Sequence, residues 1–172
     1  MLGIGVGSVE PEFSAVGADF VRRGTVTDEH VAAMRSLWYD EKPEYHGEFT
    51  DLVGVDAHPR PVRREIPIIV GGMTKPALRR SLNLGHGWFG AYVTPEKLAE
   101  CLERMRTIAA QVDRPLALGP LEITVIPGGR LNREWAEQFV ELGVDRIVFW
   151  PSANMDSIER VLDEEPQNVA GL

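Results

Sequence analysis

The residues best placed for chemistry form a glycine turn, Gly71-Gly72-Met73-Thr74, between the apolar run 66–70 and a helical pattern. Two glycines let a ligand approach the backbone closely. The first N–H groups of the following helix lack intrahelical partners, and the positive end of the helix dipole lies there. This pattern is typical of an anion site, most often one for phosphate. A glycine pair alone more often makes only a tight strand-to-helix turn, so the interpretation depends on the rest of the chain.

Few other residues suggest acid–base or metal chemistry. His46 lies in the polar segment 45–58, which predicts a small hairpin or an extended excursion, and a surface histidine is the commoner interpretation there. Glu122 lies within a predicted strand. Cys101 lies on a helical pattern, where a packed thiol is expected rather than a nucleophile. With one cysteine and no His/Cys cluster, the sequence predicts neither a disulfide nor a zinc site.

Strand and helix patterns alternate along the chain. The predicted strands are centred at about Leu2, Ile66, Gly87, Ile123 and Ile147, and the last one extends from Arg146 to Trp150. The residues expected to begin helices are Thr27, Thr74, Thr94, Asn132 and Asn154. Regular alternation with apolar strands predicts an α/β fold with a parallel sheet and outer helices, either an arc of a barrel or a small open sheet.

Composition narrows the class of protein. The chain has 172 residues, which suits one domain, and its hydrophobic fraction of 44% is ordinary for a globular protein. A net charge of −8 disfavours nucleic acid and anionic membranes as partners. The sequence contains no apolar run long enough to span a membrane and no basic-then-apolar signal peptide. A cytoplasmic protein is therefore expected.

A series of motifs in the first 95 residues carries a family resemblance. The motifs are Leu2-Gly-Ile-Gly-Val-Gly-Ser8, Asp28-Glu29, Leu37-Trp38, His46-Gly-Glu-Phe49, Pro59-Arg-Pro61, Pro67-Ile-Ile-Val-Gly-Gly72 and Gly85-His-Gly-Trp88. In their order and spacing they resemble the luciferase-like monooxygenase superfamily, most closely the oxidoreductases that use coenzyme F420. Residues 96–163 fit the closing part of the same fold without a diagnostic motif.

The resemblance implies a partial (β/α)8 barrel. Relatives are barrels of roughly twice this length, and residue 1 falls at their fourth strand, so the chain would supply about strands 4 to 8. The expected domain is 1–172, with a frayed tail over 164–172. An N-terminal half would be missing, or a second copy of the chain would complete the barrel.

The resemblance also implies a cofactor and its contacts. The expected cofactor is F420, with FMN as the alternative, and the expected reaction is hydride transfer to or from a small organic substrate. Gly5 and Gly7 match positions where the family's backbone lies beside the flavin ring. Ser8 stands where many relatives have Trp or an acid. The segment Gly71–Thr74 matches the backbone that holds the cofactor's phosphate.

Other positions receive supporting roles from the same resemblance. His86 precedes Gly87-Trp88 where Asp is common, and a structural role is expected. Glu12 and Arg23 match recurrent positions and are expected to form a buried ion pair or another contact that locks the fold. A proton donor is usually needed as well, and His46 and Glu122 are the candidates.

Two other hypotheses remain open at this stage. The chain could be an inactive half-barrel that acts by pairing with itself or with a partner, because half a barrel leaves strand edges and an apolar interior open. It could also be a phosphate-binding α/β module of another class, such as a sugar-phosphate enzyme. That hypothesis explains Gly71-Gly72 but not the motif at residues 2–8.

Overall fold

The chain, predicted as one domain, divides into two compact units, residues 1–67 and 68–172. The structure is a computed structural model and describes residues 1–62, 65–149 and 155–171. Trp150 at the end of the last predicted strand and Asn154 at the start of the last predicted helix lie outside these ranges. No helix in the described ranges is both long and apolar enough to cross a membrane.

The first unit carries two helices, a short strand and a hairpin. In chain order its elements are β1 (Leu2–Ile4), α1 (Glu10–Ala15), α2 (Arg23–Tyr39), β2 (Tyr45–His46) and β3 (Asp51–Leu52). The hairpin predicted for residues 45–58 is confirmed, because β2 and β3 pair antiparallel.

The predicted start of α2 at Thr27 is wrong, since the helix begins at Arg23. The hydroxyl of Thr27 donates to the carbonyl oxygen of Arg23 (2.8 Å) and therefore lies within the helix instead of capping it. Glu29 accepts hydrogen bonds from the backbone N–H groups of Glu48, Phe49 and Thr50 at 2.8–3.0 Å. This contact ties the loop of the hairpin to α2.

The second unit alternates strands and helices as predicted. Its elements are β4 (Ile68–Gly71), α3 (Lys75–Leu84), β5 (Gly87–Val93), α4 (Pro95–Ala109), β6 (Glu122–Pro127), α5 (Arg133–Glu141), β7 (Arg146–Ile147) and α6 (Met155–Asp163). The strands are parallel, in the order β4-β5-β6-β7, with Val70 opposite Trp88 and Gly87 opposite Glu122. The caps expected at Thr74, Thr94 and Asn132 are confirmed, because each side chain accepts a backbone N–H of its helix.

The core of the second unit lies between its sheet and helices α3, α4 and α5. It is built from apolar side chains spaced three or four residues apart on the helices and from inward-facing strand residues. Its fully buried members include Leu78, Trp88, Leu98, Cys101, Val125 and Phe139. Cys101 is thus the packed thiol expected from the sequence, and burial raises its pKa.

The tail predicted to fray is held by hydrogen bonds. Residues Glu165–Asn168 form a 3₁₀ turn. The amide of Asn168 donates to the carbonyl oxygen of Leu131 (3.0 Å), and Arg133 donates to that of Ala170 (2.8 Å). These hydrogen bonds join residues 37 apart in sequence. The composition of the tail does not reveal them, which is why fraying was predicted.

A half-buried arginine, Arg114, satisfies the carboxyl end of α3. The guanidinium of Arg114 donates to the carbonyl oxygens of Ser81 (3.2 Å), Leu82 (2.9 Å) and Gly85 (2.9 Å). The carbonyl oxygen of Ser81 also accepts the N–H of Gly85 (3.1 Å), whereas those of Leu82 and Gly85 lie where the end of a helix provides no intrahelical partner. The cation also complements the negative end of the helix dipole. Burial lowers the pKa of Arg114. The planar guanidinium has five N–H donors, so it can bond to several carbonyl oxygens at once.

We expect Arg114→Met to destabilise the protein by about 2–3 kcal/mol, because charge-assisted hydrogen bonds to several buried carbonyls are lost together. Urea unfolding followed by circular dichroism measures the change. The matched control is Arg106→Met, which removes an exposed arginine paired with Glu103 and should leave the unfolding midpoint nearly unchanged. Equal midpoints for the two variants would contradict this role of Arg114.

Candidate functional site

The glycine turn lies at the carboxyl edge of the parallel sheet in the second unit. Gly71 is the last residue of β4, and Thr74 is the N-cap of α3. Gly72 is exposed and has φ +113°, a conformation that side chains rarely adopt. In parallel α/β sheets, ligands bind at this edge, so the four predicted residues of the turn lie where a binding site is expected.

The amino end of α3 is electrostatically suited to an anion. Its first turn begins with Lys75 and contains no Asp or Glu, whereas the first turns of α4 and α5 contain Glu96 and Glu134. An acid there would compete with an anionic ligand for the positive end of the dipole. The side-chain oxygen of Thr74 accepts the N–H of Ala77 (3.4 Å) and so caps the helix. An anion at the turn would therefore be bound by backbone N–H groups.

A buried tryptophan supports the turn from below. Trp88 on β5 has no exposed surface, and its Nε1 donates a hydrogen bond to the carbonyl oxygen of Gly72 (2.7 Å). Sequence reasoning placed Trp88 on a strand but missed this contact. A signal was present, because a buried indole N–H almost always has a hydrogen-bond partner.

Tyr92, near the end of β5, was also missed. It is a non-glycine residue at φ +56°, and its side chain is 64% exposed at the same carboxyl edge. A Cβ on Gly128 would lie 2.8 Å from the carbonyl oxygen of Tyr92, so the backbones of these two segments pack closely. Strained residues of this kind concentrate at functional sites, but nothing in the sequence signals the φ value.

The second group of predicted contacts, Gly5, Gly7 and Ser8, lies in the first unit after β1, and all three residues are exposed. A Cβ on Gly7 would lie 2.6 Å from the ring of Phe13, and the backbone φ of +80° also disfavours a side chain, so packing and conformation both favour glycine there. A Cβ on Gly5 would meet no atom within 4 Å. Packing therefore explains Gly7 but does not explain Gly5.

Arg23 locks this segment, although without the ion pair that was considered for it. Its Nε donates to the carbonyl oxygen of Gly7 (3.1 Å), and its guanidinium lies 3.7 Å from the ring centroid of Phe20. Within the described part of the chain no salt bridge joins Arg23 to Glu12, which is exposed. The expectation of a fold-locking contact is confirmed for Arg23, and the buried ion pair is wrong.

Of the two candidate proton donors, Glu122 belongs to the second unit and His46 to the first. Glu122 begins β6 at the amino edge of the sheet, opposite to the edge that carries the turn. Its Oε1 accepts from Arg146 (2.9 Å) and from Thr124 (3.1 Å). His46 belongs to the hairpin of the first unit.

His86 lies at the amino edge of the second unit's sheet and has a structural role. Its Nδ1 accepts the N–H of Ile68 (3.0 Å), and its own backbone N–H donates to the carbonyl oxygen of Ile68 (2.7 Å). These bonds hold the start of β4 against the start of β5. Among the described residues, no cluster of three or more His, Cys, Asp or Glu side chains could hold a metal ion.

His46 is bracketed by two carboxylates. Its Nε2 lies 2.7 Å from Glu44 Oε1, and its Nδ1 lies 2.5 Å from Asp51 Oδ1. The hydrogen bond to Glu44 and the one to Asp51 raise the pKa of His46 above its ordinary value of 6.5. The resulting contribution to stability is fully present below the unfolded-state pKa and is lost as pH rises through the higher folded-state value.

We expect an NMR titration of the His46 ring to have its midpoint above 6.5, and Glu44→Gln to move that midpoint down, because a proton-stabilising acceptor is removed. Glu41→Gln, on the same loop, is the matched control and should leave the midpoint in place. A wild-type midpoint at or below 6.5 would contradict the bracketed geometry.

Comparison with known proteins gives a family match and structural matches. The sequence profile described as luciferase-like monooxygenase matches residues 1–132. An uncharacterized protein of Mycobacterium tuberculosis is 28% identical over 147 residues, which are 86% of this chain and 49% of that protein. The chain spans about half the length of the curated relatives it matches.

Two solved structures share the fold at low sequence identity. One is an F420-dependent secondary alcohol dehydrogenase in complex with an F420-acetone adduct, with a TM-score of 0.67 and 15% identity over 86% of this chain and 62% of that one. The other is the coenzyme F420-dependent tetrahydromethanopterin reductase from Methanopyrus kandleri, with a TM-score of 0.59 and 16% identity over 80% of this chain and 44% of that one. These matches confirm the predicted α/β fold class, a partial barrel with parallel strands and outer helices.

Proposed function

Since the chain belongs to the luciferase-like monooxygenase family, we propose that it forms the phosphate-binding part of an oxidoreductase. The cofactor would be F420, with FMN as the alternative, and the substrate a small organic molecule. The observation that carries the proposal is the glycine turn at residues 71–74, exposed at the carboxyl edge of the sheet and followed by a helix whose first turn has no acid.

The residues of the turn fit a phosphate group. Gly72 has a backbone conformation suited to glycine, and a Cβ there would lie 3.0 Å from the Cβ of Ala77, so a side chain would displace the turn. The backbone N–H groups and the helix dipole supply hydrogen bonds and positive potential. Lys75, exposed at the first helical position, adds a formal positive charge.

F420 is placed before FMN because both structurally similar proteins named above are F420-dependent by description. The two cofactors share a ring attached through a sugar-like chain to a phosphate, so the same turn would serve either. When bound, such a cofactor supplies the hydride or oxygen chemistry. The chain's own residues would bind the phosphate, fix the position of the cofactor and exclude water from one side of it.

In the first unit, we propose Gly5, Gly7 and Ser8 as contacts to a cofactor ring. Gly5 supports this assignment. Packing among the described residues leaves space for a side chain there, so the approach of a ligand would explain the glycine. Gly7 is held by Arg23 and Phe13, which gives the segment a fixed backbone on which a ring could lie. Other parts of the site would come from outside this stretch of sequence, and a second copy of the chain is one proposed source. The proton donor stays a proposal, with His46 the candidate that is exposed to solvent.

The test is a titration of the purified chain with F420 and, separately, with FMN. Cofactor fluorescence reports binding, and light scattering reports the mass of the species that binds. We expect binding of one cofactor per site, weakened about tenfold or more by Gly72→Ala, since a misplaced turn loses at least one charge-assisted hydrogen bond to phosphate.

The matched control is Gly143→Ala. Gly143 also has a positive φ (+82°), lies between α5 and β7 at the opposite edge of the sheet, and has space for a methyl group. This variant suffers similar backbone strain and should keep the wild-type affinity. Binding of neither cofactor would contradict the proposed function, and equal affinities for wild type and Gly72→Ala would contradict the assignment of the turn.

A further inference from the structure

We infer that Trp88 is the positioning residue of the phosphate site, and that it acts by fixing the Gly72–Met73 peptide so that the N–H of Met73 faces the anion. The inference rests on the proposed function and deepens it by naming the donor and the group that orients it. Trp88 touches no ligand in this account, because it is buried beneath the turn.

The indole of Trp88 is held firmly enough to orient a peptide. Its side chain has no exposed surface and packs in the core of the second unit with residues such as Leu78 and Val93. Gly90, two residues further along β5 and on the same face, leaves room for the ring. A Cβ on Gly90 would lie 2.4 Å from Trp88 Cη2, so a larger residue would push the indole out of place.

The hydrogen bond from this indole fixes the direction of the Gly72 carbonyl. At 2.7 Å, Nε1 is a short donor to that oxygen, and the buried indole N–H would cost about 1–3 kcal/mol if it were left without a partner. The carbonyl oxygen of Gly72 therefore points down toward β5 and the core.

The N–H of Met73 must then point the other way. In a trans peptide the C=O and the following N–H lie on opposite sides, and the one cis bond among the described residues is His58–Pro59. The Met73 side chain packs against the core cluster, which holds the other end of the same residue. The Met73 N–H is thus directed away from the core, out of the carboxyl edge where the amino end of α3 lies.

The arrangement explains why Gly72 needs its conformation. With φ +113°, the chain leaves β4, turns its carbonyl back toward Trp88 and still reaches the N-cap at Thr74 two residues later. A residue with a side chain would resist this turn and would rotate the peptide that Trp88 holds. The N–H of Met73 is thus presented by four residues acting together: Gly72, Met73, Trp88 and Gly90.

The experiment titrates inorganic phosphate, and then F420 and FMN, into the ¹⁵N-labelled full chain, with Trp88→Phe as the variant. Phenylalanine keeps an apolar ring in the core but lacks the N–H donor. We expect the Met73 amide to be among the strongest responders in the wild type, and the variant to bind phosphate about tenfold more weakly. Trp135→Phe, the same substitution at a partly buried residue packed on the same core, is the control and should bind like the wild type.

The wild-type chain supplies a second measurement that does not depend on the variant folding. The indole N–H of Trp88 should exchange slowly with solvent, and its resonance should shift in step with the Met73 amide during the titration. A cofactor that binds with no response at Met73, or with equal affinity in Trp88→Phe, would overturn the inference and leave the proposed function standing. Absence of any response to phosphate, F420 and FMN would overturn both.

Discussion

The hydrogen bond from the indole of Trp88 to the carbonyl oxygen of Gly72 is the contact on which the site depends. It joins a fully buried side chain to an exposed turn, so the packing of the core and the shape of the binding edge are set together. A turn made only of glycines would be free to sample many conformations. The indole removes that freedom without placing a side chain in the space that a ligand needs.

Helix α3 shows how the rest of the second unit serves the same edge. Thr74 caps its amino end, and Arg114 satisfies the carbonyls at its carboxyl end. With both ends satisfied, the helix can hold its dipole at a fixed angle to the turn. His86, Glu122 and Arg146 make polar contacts at the opposite edge of the sheet, so these stabilising groups are separate from the proposed phosphate site.

Sequence reasoning predicted the parts of this structure that depend on neighbouring residues. The glycine turn, the caps at Thr74, Thr94 and Asn132, and the order of strands and helices follow from local patterns and were found as expected. The strand predicted from Arg146 to Trp150 is shorter, because it ends at Ile147. The family was also recognisable, because its motifs are short and occur in a fixed order along the chain.

Most of what could not be predicted depends on contacts distant in sequence. Thr27 is the exception, because its residue type suits a cap while its hydroxyl bonds to a carbonyl one turn back within a helix that begins at Arg23. The partners of Glu29 lie 19–21 residues away, and those of Arg114 on α3 lie 29–33 residues away. From the sequence we can tell that a carboxylate accepts hydrogen bonds and that a guanidinium donates them. Which backbone groups become their partners depends on the fold.

The most direct test of the central claim is a crystal structure of the chain with F420, or with FMN if that cofactor binds more tightly. We expect the cofactor's phosphate at the carboxyl edge of β4, with one of its oxygens about 3 Å from the backbone nitrogen of Met73. Trp88 Nε1 should remain bonded to Gly72 in that complex. A phosphate bound elsewhere, or a Gly72 carbonyl turned away from Trp88, would contradict the account.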